Sequence, residues 1–153
     1  MTAKKMADEG KSLDEIIAQL DKIKDHNHVY ITVNTLKYLI KNGRLSGVAG
    51  AIGSLLKLRP LLHISKNGKV ETVAKIRTTA KAREEMKARI LEEVKDKDII
   101  PFIVYTNNME EMLDLKDELE EKGLKDVLLI PLTPVVGCHA GPGTMGVGYI
   151  ERV

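Results

Sequence analysis

The chain has 153 residues, of which 43% are apolar and 30% charged, with a formal net charge of +2 at neutral pH. That is the size and composition of one ordinary globular domain, long enough to bury a core. The balanced charge leaves no basic footprint for nucleic acid. With no tryptophan and a single phenylalanine, Phe102, the chain is also poor in stacking platforms for bases. One cysteine, Cys138, excludes an internal disulfide and a paired-cysteine zinc site. The N-terminus, with Lys4, Lys5, Asp8 and Glu9, has no signal-peptide apolar region, and no run approaches the roughly 18 apolar residues of a membrane span. A cytoplasmic protein is expected.

In chain order, residues 3–9 read as a short helix ended by Gly10, with only Met6 and Ala7 to bury. Ser12 and Glu15 form a reciprocal capping pair, and Leu13, Ile16, Ile17, Leu20 and Ile23 recur at helical spacing, which predicts a helix over about 12–25. Val29–Val33 is β-branched and aromatic, hence a strand. Asn34 is placed to cap the next segment, where Leu36, Leu39 and Ile40 share a face before Asn42 and Gly43 stop it. Arg44 then sits in an elbow before a second helix, Ser46–Lys57, in which Gly47, Gly50 and Gly53 stand among Val48, Ile52, Leu55 and Leu56. Each such glycine costs a helix about 1 kcal/mol. The pattern suits close packing against a neighbour or a ligand tail, not a solvated helix.

Pro60–Ser65 and Lys69–Ile76, joined by Lys66, Asn67 and Gly68, read as a β-hairpin. Thr78 or Thr79 caps a long helix to about Asp96, with Ala82, Met86, Ile90, Leu91 and Val94 inward. Ile100–Tyr105 is a buried strand, Asn108 and Glu111 open a helix that ends at Gly123, and Val127–Leu132 and Thr144–Ile150 complete about six strands. The hairpin requires antiparallel pairing, and the strand–helix–strand order over 100–132 suggests one parallel crossover. The fold class is therefore α/β (α+β): a single two-layer domain with a mixed, largely antiparallel sheet and helices packed on it.

The segment Gly137-Cys138-His139-Ala140-Gly141-Pro142-Gly143-Thr144 begins a stretch that holds five of the chain's glycines, 137, 141, 143, 146 and 148. It reads as a loop facing a ligand, or else as a tight turn with an incidental histidine. His139 could act as base, phosphoryl acceptor, metal ligand or anion donor. The local sequence offers no carboxylate to orient the ring, no second histidine at ligand spacing and no serine in a nucleophile elbow. Anion binding fits best: loop amides of Gly137 and Gly141 near His139, with the Thr144 hydroxyl, would hold a carboxylate or phosphate. Arg44, Arg59 and Arg77 each lie at an element end, where a solvated arginine is equally at home. Lys75 and Arg77 share a face by period-two spacing and would form a docking surface for something acidic. His26, His28 and His63 read as structural or solvated.

Asp14-Glu15-Ile16, the run Leu36-Lys37-Tyr38-Leu39-Ile40-Lys41-Asn42-Gly43-Arg44-Leu45-Ser46, Ile52-Gly53-Ser54-Leu55-Leu56, Pro60, Gly68, Lys75-Ile76-Arg77 and Val136–Thr144 occur in an order and spacing that resemble the C-terminal part of the DegV family of bacterial fatty-acid-binding proteins. The resemblance covers nearly all of residues 3–153.

The resemblance implies a lipid-binding subunit of a bacterial fatty acid kinase. Such a subunit holds a long-chain fatty acid, with no cofactor, and presents its carboxylate to a separate ATP-dependent kinase subunit for acyl phosphate formation, without being a catalyst itself. It places His139 in the carboxylate network, Arg77 near the kinase-docking surface, and Arg44 to Leu56, including Ile52 and Leu55, in the wall of an acyl tunnel. A complete member has an N-terminal domain of similar size that supplies most carboxylate contacts. Residues 1–26 then read as a connecting helical region, and the cleft would be closed by the missing N-terminal domain or by a homodimer partner. An exposed apolar strip of Leu36, Val48, Ile52, Leu55 and Leu56 is expected. Two other readings stay open: a module that docks on a kinase subunit without binding lipid alone, and an enzyme using His139.

Overall fold

Alternating side chains on six strands build one mixed sheet with apolar residues on both of its faces. The computed structural model describes residues 2–45 and 58–152. The helix expected over 46–57, and with it Val48, Ile52, Leu55 and Leu56, lies outside the described residues. The strands are β1 (Asn27–Thr32), β2 (Leu61–Ile64), β3 (Val70–Ala74), β4 (Ile99–Tyr105), β5 (Leu128–Pro131) and β6 (Met145–Glu151), in the spatial order β3-β2-β1-β6-β4-β5. Only the β4–β5 pair is parallel, as the crossover through the intervening helix requires.

The described helices are α1 (Thr2–Asp8), α2 (Leu13–Asp25), α3 (Lys37–Lys41), α4 (Thr79–Glu93), α5 (Met109–Glu121) and α6 (Pro134–Ala140). Both arms of the Ser12–Glu15 capping box form: the Glu15 amide donates to Ser12 Oγ at 3.3 Å and the Ser12 amide to Glu15 Oε2 at 2.9 Å. The hairpin closes as the sequence predicts, with Gly68 at φ 72° and Ile64 opposite Val70. At α4 it is Thr78 that caps, accepting from the Lys81 amide. That helix stops at Glu93, short of the expected Asp96, which turns left-handed at φ 62°.

Of two capping expectations, Asn34 fails outright and Asn108 takes the expected N-cap position without bonding a helix amide. Asn34 does not cap α3; the Lys37 amide goes to Thr35 Oγ1, and Leu36 is the capping residue. Asn108 precedes α5 in a left-handed conformation, φ 63°, so its side chain turns from the helix amides toward Glu111.

Met86, Ile90, Met112, Leu115 and Leu119 of α4 and α5 pack on Leu61, Ile103, Val147 and Tyr149 to form the main core. By alternation, Ile31, Leu62 and Val70 point to the opposite face, where, among the described residues, the short α3 and α6 and their flanks meet them through Val33, Leu36, Leu39 and Ala140, with Leu45 and Leu58 beside them. Leu36 is thus buried, 1% exposed, and forms no part of an exposed strip. Among the described residues, no helix is long and apolar enough to cross a membrane.

Candidate functional site

The face opposite the main core holds a cavity of about 190 Å³. Its floor is Ile31 of β1, Val33 just past the end of that strand and Leu62 of β2, one side is Leu39 of α3 with Arg44 after it, and the other is Val135, Val136 and His139 of α6. Ile64 and Val70 close the hairpin side. The walls are aliphatic except for Arg44, His63 and His139.

The first turn of α6 explains why His139 lies there. Pro134 at the first helical position, after Thr133, starts a helix where the glycine count had suggested a loop. Gly137 is inside that helix and its amide donates to the Thr133 carbonyl at 2.9 Å; the Gly141 amide donates to the Gly137 carbonyl at 2.7 Å. The loop-amide cradle expected around His139 is therefore not available, because those amides are spent within α6. Thr144 corrects the expectation too. It is 1% exposed, and its hydroxyl sits 2.8 Å from the Gly141 carbonyl oxygen and 3.1 Å from that of Ala140. The hydroxyl locks the turn after α6 and does not face the cavity mouth.

The true turn is Gly141–Gly143. Gly141 has φ 83° and ψ 174°, a region open in practice to glycine alone, and Gly143 has φ 74°. The Gly143 amide donates to Asn107 Oδ1 at 2.6 Å and the Thr144 amide to Thr106 Oγ1 at 3.1 Å, which pins the turn to the end of β4. On the other side, Asn42 Nδ2 donates to the Cys138 carbonyl at 3.1 Å and to the Tyr38 carbonyl at 2.9 Å, tying α3 to α6. The chain leaves α3 through a Schellman closure, in which the Arg44 amide reaches the Leu39 carbonyl at 2.9 Å and Gly43 takes φ 63°. That closure aims residue 44 at the cavity rim.

His139 is half-buried, and its Nδ1 is shut off from solvent with no hydrogen-bond partner among the described residues. A buried polar nitrogen left unpaired is costly, which marks it as a candidate for ligand contact. Arg44 is exposed and has no carboxylate partner among the described residues. A cationic side chain and a partnerless imidazole thus border one oily space. Cys138 is exposed and free. No group of three or more His, Cys, Asp or Glu side chains among the described residues is arranged to hold a metal.

The family model described as "Uncharacterised protein, DegV family" matches residues 1–152. The chain belongs to the DegV family. It is 33% identical over 148 residues to a DegV domain-containing protein of Lactococcus lactis, covering 96% of this chain and 53% of that one. The crystal structure of a fatty acid binding DegV family protein from Streptococcus agalactiae superposes with a TM-score of 0.86 at 28% identity, over 99% of this chain and 54% of that one. DegV of Bacillus subtilis, a fatty acid binding protein, superposes with a TM-score of 0.82 at 30% identity, over 99% and 54% of the two chains. The chain spans about half the length of these DegV relatives.

The remaining sequence candidates lie elsewhere on the DegV fold. Strand β3 ends at Ala74, so Lys75 and Arg77 follow the strand and do not share it. Both are exposed and border a shallow depression with Ile76, Lys81, Glu84 and Glu85 at the start of α4. The apolar walls Ile31, Leu62, Ile64, Val70 and Val135, and His63 beside them, were not among the sequence candidates. The adjacent valines Val135 and Val136 after Thr133-Pro134 were the signal available in the sequence, and the structure leaves them 72% and 43% exposed in a short helix.

Proposed function

We propose that this chain supplies one wall of a fatty-acid cleft, with the acyl chain along Ile31, Leu62 and Val136 and the carboxylate toward His139 and Arg44. One observation carries the reading: an aliphatic cavity whose polar edge is an imidazole with an unused, solvent-shielded nitrogen. Its volume of about 190 Å³ falls below the roughly 300–1,000 Å³ of self-sufficient ligand pockets, which favours a cleft completed by a second body. Burying acyl methylenes is worth about 0.8 kcal/mol each. The S. agalactiae and B. subtilis structures, both of fatty acid binding DegV proteins, support the same ligand class.

The protein acts as a presenting subunit and performs no chemistry of its own; it offers the carboxylate to an ATP-dependent fatty acid kinase subunit, which forms the acyl phosphate. Lys75 and Arg77, exposed at the rim of the depression beside α4, are the docking cations.

Mass spectrometry of organic extracts from the purified chain, alone and mixed with the complementary half of a DegV protein, tests the reading. A long-chain fatty acid recovered in at least one setting supports it. Lipid in neither setting, with kinase-subunit binding retained and lost on Arg77→Glu, favours the docking module that binds no lipid.

A further inference from the structure

The carboxamide of Asn42 serves the C-terminal ends of two helices at once. Its Nδ2 donates to the Tyr38 carbonyl of α3 at 2.9 Å and to the Cys138 carbonyl of α6, 96 residues away in sequence, at 3.1 Å. The Cys138 carbonyl needs an outside donor, because the residue four positions on is Pro142, which has no amide hydrogen to give. Two acceptors facing one group require N–H donors, which fixes the orientation of the carboxamide and leaves no role for an acceptor-only side chain.

Neither helix holds its position unaided, since α3 has five residues and α6 seven. Tyr38 packs against Gly141, and Asn34 against Gly143, where a Cβ would come within 2.8 Å of Asn34 Nδ2. Those contacts press the segments together without fixing a direction; the Asn42 bond fixes both direction and length. It also lies close along the chain to both polar groups of the cavity. Arg44 is two residues beyond Asn42, across the Schellman closure in which its amide reaches the Leu39 carbonyl at 2.9 Å, and His139 follows Cys138 directly.

We propose that Asn42 is a positioning residue for the carboxylate end of the cleft, setting the separation of Arg44 and His139 across the cavity. It is not among the residues that line the cavity, so it acts through those two. The proposal rests on the reading of the cavity as a fatty-acid site and deepens it. Charge-assisted hydrogen bonds to a carboxylate demand heavy-atom distances near 2.7–2.9 Å, whereas burial of acyl methylenes is non-directional. A slip of α6 against α3 therefore weakens the hold on an acid more than the hold on an ester.

The test compares Asn42→Ala and the near-isosteric Asn42→Asp with the wild-type chain, alone and mixed with the complementary half of a DegV protein. Competition against a fluorescent fatty acid gives the affinities for palmitate and for its methyl ester. Both variants should lower the ratio of acid to ester affinity about two- to tenfold, the range of one hydrogen bond, with ester affinity and melting temperature nearly unchanged. In a chain that also carries Arg44→Ala and His139→Ala, the Asn42 substitutions should change the ratio no further. A wild-type ratio in Asn42→Asp would make the side chain a space-filler and overturn the proposal. So would equal loss of acid and ester, or a drop that persists in the Arg44→Ala, His139→Ala background. Absence of acid binding by the wild type in both settings would reject the lipid reading alone. Positioning is then decided without ligand by the His139 ring resonances in ¹H–¹⁵N NMR, which Asn42→Ala should shift and broaden while the main-core methyl resonances stay in place. Unmoved ring resonances would overturn it.

Discussion

The ring of Tyr38 lies where a side chain on Gly141 would have to go: a Cβ built there would sit 2.4 Å from Tyr38 Cδ2 and 3.0 Å from Cγ. Gly141 also occupies φ 83°, ψ 174°, where an L side chain is strained even in open space. Gly141→Ala should therefore destabilise the domain by about 1–3 kcal/mol in chemical denaturation. Adding Tyr38→Ala removes the clash and leaves the backbone strain. The double variant should recover only part of the loss; full recovery would mean that the ring alone sets the requirement for glycine.

A charge relationship at the other end of the sheet sets an acid limit on stability. Glu151 accepts from Lys97 Nζ at 2.6 Å and lies 2.9 Å from His26 Nδ1, and these partners, Lys97 foremost, lower its carboxyl to about 2. A carboxyl that is more acidic in the folded state than in the unfolded chain contributes stability above the unfolded value, near 4.3, and loses it as pH falls toward 2. Because Lys97 is 39% exposed, solvent screens the pair, and the contribution at neutral pH is about 1 kcal/mol. Glu151→Gln should lower the midpoint of urea unfolding at pH 7 and match the wild type near pH 2. A gap that persists unchanged at pH 2 would assign the loss to packing.

Local pattern carried the elements far better than it carried the site. The capping box at Ser12, the Gly68 turn and the inward stripe of α4 all depend on residues within a few positions of one another, so spacing alone reveals them. The cavity depends on register between distant segments. Ile31 meets Leu62 across the β1–β2 pair, and His139 joins them from more than 70 residues away. The glycines misled for a related reason. Gly148 is in β6 because a Cβ there would meet the Phe102 ring at 2.6 Å and the His28 carbonyl oxygen at 2.4 Å. Close passage of neighbouring strands, not a ligand, requires it, and Thr133-Pro134 was the better guide to what precedes Gly141.

Lys87 shows the same limit in the core. Its helical position reads as solvated, yet its side chain is only 7% exposed, held by Glu118 Oε2 at 2.5 Å and Glu84 Oε1 at 2.6 Å. Glu118 also takes Arg83 Nη2 at 2.7 Å, which fastens α4 to α5. Removing the carboxylate leaves Lys87 with Glu84 alone and Arg83 with only the longer contact to Glu111 at 3.9 Å, whereas replacing the ammonium by an apolar chain of like volume leaves no unpaired charge in the interior. Glu118→Ala should cost about 1–2 kcal/mol, reduced because Glu118 itself is 40% exposed. Lys87→Met should fall within about 1 kcal/mol of the wild type. Thermal denaturation of the two variants side by side decides it, and the reverse order would reject this account.

His139 separates ligand recognition from folding. Its Nδ1 has no partner among the described residues, so deleting the ring removes no internal hydrogen bond that holds α6 in place. α6 is fixed instead by Asn42 on the Cys138 carbonyl and by the Thr144 hydroxyl on the turn. His139→Ala should leave the melting temperature nearly unchanged and weaken fatty-acid binding about tenfold, the worth of a charge-assisted hydrogen bond to the carboxylate. Competition against a fluorescent fatty acid, with the methyl ester of the same acid as control, measures this. The ester has no carboxylate charge to engage, so it should bind the wild type and the variant alike. Equal weakening of acid and ester would place His139 beside the acyl chain and remove it from the carboxylate end.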